Sequence, residues 1–133
     1  MFILKSVAGR LRLELDGEVP RNLEAWDAGH ITARLVGDAF SAVAGVDDMR
    51  FPKWGDLFEG LAGDWRGWDG VREEASAEGH LRLSCSSDYR GHVSVRVQLA
   101  GDFEGCDWST EATLFLDAGS LETIAAEARA YFG

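Results

Sequence analysis

A chain of 133 residues, 46% hydrophobic and 27% charged, has the composition of one globular domain able to build a core without metal or disulfide support. Its formal net charge of −10 argues against nucleic acid and against anionic membrane surfaces, which both require clustered lysine and arginine. It points instead to a basic protein partner steered in over long range, with solubility alone as the plain alternative.

In chain order, Phe2–Val7 reads as a strand, followed by a turn through Gly9. Residues 10–15 alternate, with Leu11, Leu13 and Leu15 on one face and Arg10, Arg12 and Glu14 on the other, the pattern of a half-buried antiparallel strand. After a loop, Ile31, Ala33 and Leu35 alternate with Thr32 and Arg34. Gly37–Asp38 is expected as a two-residue turn into the partner strand of a hairpin.

The period then changes. Trp54, Leu57, Phe58, Leu61, Ala62 and Trp65 fall at helical spacing behind Pro52, predicting an amphipathic helix with Trp54 and Trp65 in its buried stripe. Asp47 and Asp48 stand just upstream, where carboxylates favour a helix dipole. Gly67 is the expected stop, and Trp68 beyond it is expected in the core.

Strands resume at residues 71–75, and at 80–86 with Leu81, Leu83 and Cys85 inward. Another follows over 92–99, with Val93, Val95, Val97 and Leu99 in register. A loop over 101–107 leads into a last strand, where Phe115 faces away from Leu114 and Leu116, a sign of a dimer or of a second covering layer. Ser120 is expected to cap a closing helix with the stripe Leu121, Ile124, Ala125 and Ala128. The order ββββαββββα implies an α+β fold: a two-layer sandwich in which a large curved antiparallel sheet carries two helices on one face, over residues 1–133 as a single domain.

No apolar run reaches the roughly 18 residues of a membrane span, and Met1–Lys5 is too short for a secretory signal; the expected location is cytoplasmic. The two cysteines, Cys85 and Cys106, form no C-x-x-C pair, and Cys85 at a strand position reads as a buried free thiol. His30, His80 and His92 each open a strand and lack helical spacing to one another, so no metal or cofactor is expected.

The segment Asp88–His92, D-Y-R-G-H, pairs a carboxylate with an imidazole, the makings of a general base. Ser86, Ser87 and Thr110 are the nearby hydroxyls, yet no nucleophile elbow or oxyanion turn accompanies them. A hairpin turn opened by Asp88 and closed by Gly91 explains the same residues. Carboxylates are densest around the first helix and its exit, at Asp56, Glu59, Asp64, Asp69, Glu73, Glu74 and Glu78. With Trp68, the first six are the candidate residues for gripping a basic partner.

Several segments together resemble a known family: residues 26–36 before a hairpin, the helix W-G-D-L-F-E-G-L-A and W-R-G-W-D-G after it. The others are G-H-L-R-L-S-C, D-Y-R-G-H-V-S-V-R-V-Q-L, a tryptophan entering the last strand, and L-D-A-G-S-L-E-T-I-A. Nearly the whole chain resembles small acidic bacterial immunity proteins of wall-associated, contact-dependent toxins, and a related uncharacterised bacterial family. The resemblance implies a stoichiometric inhibitor of a toxin domain, often a basic nuclease, with no catalytic residue to carry over and no transferable contact residue. The expectation is a non-enzymatic protein-binding domain, monomer or homodimer. The alternatives are a small enzyme or ligand-binding domain using Asp88 and His92, and a regulatory or structural domain.

Overall fold

The computed structural model describes residues 1–20, 28–101 and 107–133. Trp26, Cys106 and most of the 101–107 loop lie outside the described residues. The expected class and order hold. Four strands, β1 (Phe2–Lys5), β2 (Arg12–Asp16), β3 (Gly29–Val36) and β4 (Ser41–Asp48), lead into helix α1 (Pro52–Gly63). Four more, β5 (Arg72–Ala75), β6 (Leu81–Ser87), β7 (His92–Ala100) and β8 (Ser109–Asp117), lead through a 3-10 turn into helix α2 (Leu121–Phe132).

The sheet itself divides in two. β1-β2-β3-β4 and β5-β6-β7-β8 are separate four-stranded antiparallel sheets. They meet where Val7 N donates to Phe115 O at 2.8 Å and Phe115 N donates to the Ser6 hydroxyl at 3.0 Å. A serine side chain thus takes a donor that a continuous ladder would give to backbone, and the seam stays open.

Strand parity reads through into burial. Phe2, Leu4, Leu13, Leu15, Ile31, Ala33 and Leu35 from the first sheet join Leu81, Leu83, Cys85, Val93, Val95, Val97 and Leu99 from the second in one core. The helices pack against each other, with α1 also reaching β5 and α2 reaching β1. Phe2 is their meeting point, its ring centroid 5.6 Å from both Phe58 of α1 and Phe132 of α2. Burying such aromatic side chains contributes roughly 1.5–3 kcal/mol each.

Three local expectations are corrected. Val36 pairs with Ser41, so the β3–β4 connection has four residues, closed by Gly37 N donating to Phe40 O, and not the two of Gly37–Asp38. Trp65 is 53% exposed because α1 stops at Gly63 and its C-cap Asp64 leaves helical geometry. The helical phase that would have buried Trp65 ends before reaching it. Gly67 is not the stop of α1, which ends four residues earlier at Gly63; Asp47 and Asp48 stand upstream of the helix as expected, closing β4.

Ser120 stands at the N-cap of α2 but makes no capping bond; its hydroxyl donates back to Asp117 O at 2.7 Å within the 3-10 turn. No described helix is long and apolar enough to cross a membrane.

Candidate functional site

The candidate residues begin at the exit of α1. Gly67 adopts φ +133°, a left-handed geometry that suits glycine, and the chain turns there to bring Trp68 back onto the sheet. Trp68 is 5% exposed and its indole N–H donates to Cys85 O at 3.1 Å. It anchors β5 and β6, as the core expectation had it, and is closed to a partner. The Arg72 guanidinium lies 5.2 Å from its ring centroid.

The carboxylates are spoken for. Arg129 of α2 reaches across to Asp56 at 2.9 Å and Glu59 at 2.7 Å, and the Glu59 hydrogen bond raises its guanidinium further above the ordinary range. Asp64 holds Arg72 at 2.6 Å, Glu73 pairs with Arg82, and Glu74 lies 3.8 Å from Lys53. Asp69 accepts the Tyr89 hydroxyl, a bond that raises the phenol above its usual range. All six candidate acids therefore engage partners within the chain, five of the six with a cation, and together present less charge than their density suggests. Glu78, counted with them in the sequence, has no such partner among the described residues.

Asp48 has a role that the sequence reading missed. Its side chain is 3% exposed, and it accepts Trp54 Nε1 at 3.1 Å and the Lys53 ammonium at 2.9 Å. A carboxylate four residues before a Pro-Lys-Trp helix start carries this signal only once the strand is known to end facing inward.

Asp88 and His92 do come together. Asp88 accepts backbone N–H groups from Arg90 at 2.7 Å and His92 at 3.1 Å, and His92 Nδ1 lies 2.7 Å from its other oxygen. The Arg90 bond, foremost, and those to His92 hold the Asp88 carboxyl below its ordinary pKa. Tyr89 sits at φ +60° and Gly91 at +86°, so the turn is tight and fully specified. Both members of the pair are substantially exposed, at 64% for His92 and 44% for Asp88, and the bonds are those of a hairpin closure. A second pair, His30 Nδ1 and Asp47 at 2.6 Å, links β3 to β4 on the outer face.

Among the described residues, no three His, Cys, Asp or Glu side chains cluster to hold a metal ion. Cys85 is a free, buried thiol, pushed up to about 12 by burial, which makes it a poor nucleophile.

Beyond Asp69 and Glu78, and the exposed Glu18 and Asp107, the carboxylates without an ion pair among the described residues gather near α2. Asp117, Glu122 and Glu127 are exposed, at the end of β8 and along α2, and none forms an ion pair among the described residues. Two grooves flank that helix. One, of about 630 Å³, runs between α1 and α2 past Trp65, Ala62, Gly119 and Glu122. The other, of about 530 Å³, runs between α2 and β1 past Met1, Ile3, Val7, Ile124 and Glu127.

Among known proteins, a family model matches residues 9–133, that of a family of unknown function, DUF6228. No curated protein and no solved structure matches the chain.

Proposed function

The chain belongs to the DUF6228 family, whose function is unknown, and from its own surface we propose that it is a non-enzymatic domain that binds a basic protein. The supporting observation is the excess of carboxylates over cations, −10 in formal charge, with Glu122 and Glu127 on α2 and Asp117 just before it among the exposed carboxylates that have no ion pair among the described residues. Uncompensated charge in one region steers a partner of opposite sign and orients the encounter. The resemblance to immunity proteins gives this reading its finer form: a stoichiometric inhibitor covering a basic toxin domain.

The test is co-expression with the polypeptides encoded beside this gene, followed by titration at low and high salt. Association with a basic neighbour, weakening steeply as salt rises, is expected. Absence of any association with a basic neighbour, or a salt-independent one, overturns the proposal.

A second reading rests on the Asp88–His92 contact at 2.7 Å, which keeps an imidazole in a fixed orientation with Nε2 directed away from the carboxylate. If Asp88→Asn and His92→Ala abolished a measurable activity and left thermal stability intact, the molecule would be an enzyme or ligand-binding domain instead.

A further inference from the structure

The proposed basic partner needs a place to sit, and the acids around α1 do not supply one. We propose that the exposed ridge of α2, with the grooves on its two sides, is the docking surface for a lysine- or arginine-rich protein segment that carries flanking apolar residues. This rests on the reading of the protein as a binder of basic proteins and names the surface it uses.

Three observations converge on the ridge. The first is charge: Glu122 and Glu127 project from α2 without an ion pair among the described residues. Helix-dipole chemistry accounts for Glu122, which lies in the first turn. It does not account for Glu127, which lies in the second half of α2, where a carboxylate gains nothing from the dipole. The second is shape: Thr123 and Ala126 between them are exposed and short, so a partner backbone can approach the helix closely.

The third is the apolar walls. On the α1 side stands Trp65, 53% exposed, with Arg66 5.0 Å from its ring centroid. On the β1 side stand Met1 at 64%, Val7 at 61% and Ile3 at 36%. Large apolar side chains left exposed beside a concavity mark contact surfaces, and tryptophan is the residue most enriched at their energetic centres. A helix is about 10 Å across, so a segment straddling α2 would place its apolar anchors on both sides of a cationic centre. That is charge complementarity in the middle and hydrophobic burial at the edges. Arg66, held by the indole face alone among the described residues, can swing aside for an incoming cation at small cost.

The experiment uses the full chain and a defined probe, a peptide with central arginines flanked by leucines, at low salt. Binding is measured by calorimetry and mapped by amide and indole chemical shifts. Wild type is expected to bind, with the shifts centred on Trp65, Glu122 and Glu127. The double variant Glu122→Gln/Glu127→Gln, which keeps side-chain volume, and separately Trp65→Ala, should each weaken binding about tenfold or more. The double variant Asp64→Asn/Glu73→Gln should change it less than about twofold, because those carboxylates are already paired.

Melting curves of every variant exclude unfolding as the cause. Equal losses from both double variants, or shifts centred away from α2, would overturn the ridge while leaving the basic-partner reading in place. No binding by wild type at low salt would overturn both.

Discussion

The two helices share one core and differ in what surrounds them. Around α1 every candidate carboxylate is tied: Asp56 and Glu59 to Arg129, Asp64 to Arg72, Glu73 to Arg82, Glu74 near Lys53 and Asp69 to the Tyr89 hydroxyl, while buried Asp48 holds Lys53 and Trp54. Along α2 the carboxylates Glu122 and Glu127 stand alone among the described residues. Counting acids along the chain ranks α1 first. Counting acids left without a cation on the helices themselves reverses the order: none within α1, where Asp56 and Glu59 are paired, against Glu122 and Glu127 on α2 among the described residues. A carboxylate held by an arginine fastens two elements together, and one without a cation is what a distant partner senses.

The sharpest way to break this contrast is at Asp48. Asp48→Ala leaves the buried Trp54 N–H without its acceptor and the Lys53 ammonium with Ala75 O and Glu74. Because Lys53 is partly exposed, the loss should fall at the low end for a broken buried pair, about 3 kcal/mol. Urea unfolding should show that loss as a lower midpoint. Glu127→Gln should shift the midpoint by under about 0.5 kcal/mol, as an exposed substitution does. Similar losses at the two sites would mean that α2's carboxylates are structural after all.

Next in size is the exit of α1. Gly67→Ala demands a side chain at φ +133° and sets its Cβ into the Tyr89 ring, so a loss of about 1–3 kcal/mol is expected in the same assay. Combining it with Tyr89→Ala should recover part of that loss, because the clash disappears and the backbone strain remains. Full additivity of the two changes would mean that the ring is not what the new Cβ meets.

These two sites also show what the sequence makes legible. Alternation placed Leu13, Leu15, Ile31, Val93, Val95 and Val97 inward because period-2 patterning depends only on neighbours two residues apart. The helix stripe placed Trp54, Phe58 and Leu61 for the same reason. Trp65 and Trp68 were separated only by where the helix ends, at Gly63, four residues before the turn at Gly67 that carries Trp68, and helix ends are set by local dihedrals that periodicity does not encode. The ion pairs lay further out of reach. Asp56 and Arg129 are 73 residues apart, and nothing in either segment announces the other until the helices pack.

A smaller effect tests the hairpin turn against the ridge through pH. Asp88 is held below its ordinary pKa, so the folded state keeps the carboxylate charged where the unfolded chain would take up a proton. Its contribution is complete above the unfolded value of 3.8 and is lost as pH falls through the lower folded value. The Asp88 carboxyl carbon should therefore titrate by NMR below 3.8. A midpoint at or above that value would mean the Arg90 and His92 bonds do not form in solution.

The smallest change in stability carries the most telling change in binding. Arg129→Ala removes the guanidinium from Asp56 and Glu59. These side chains are 37%, 55% and 67% exposed, and pairs so open to water contribute under about 1 kcal/mol. The fold should survive with a slightly lower midpoint. Asp56 keeps Arg50 at 3.7 Å, but Glu59, which lines the α1–α2 groove, loses its cation, so α1 would now resemble α2 in presenting free negative charge. Affinity for the arginine–leucine peptide should rise about two- to fivefold at low salt, and the gain should fade within the screening of about 0.15 M salt. If affinity falls instead, Arg129 is itself part of the contact, and the division between paired acids that build and unpaired acids that bind does not hold at this groove.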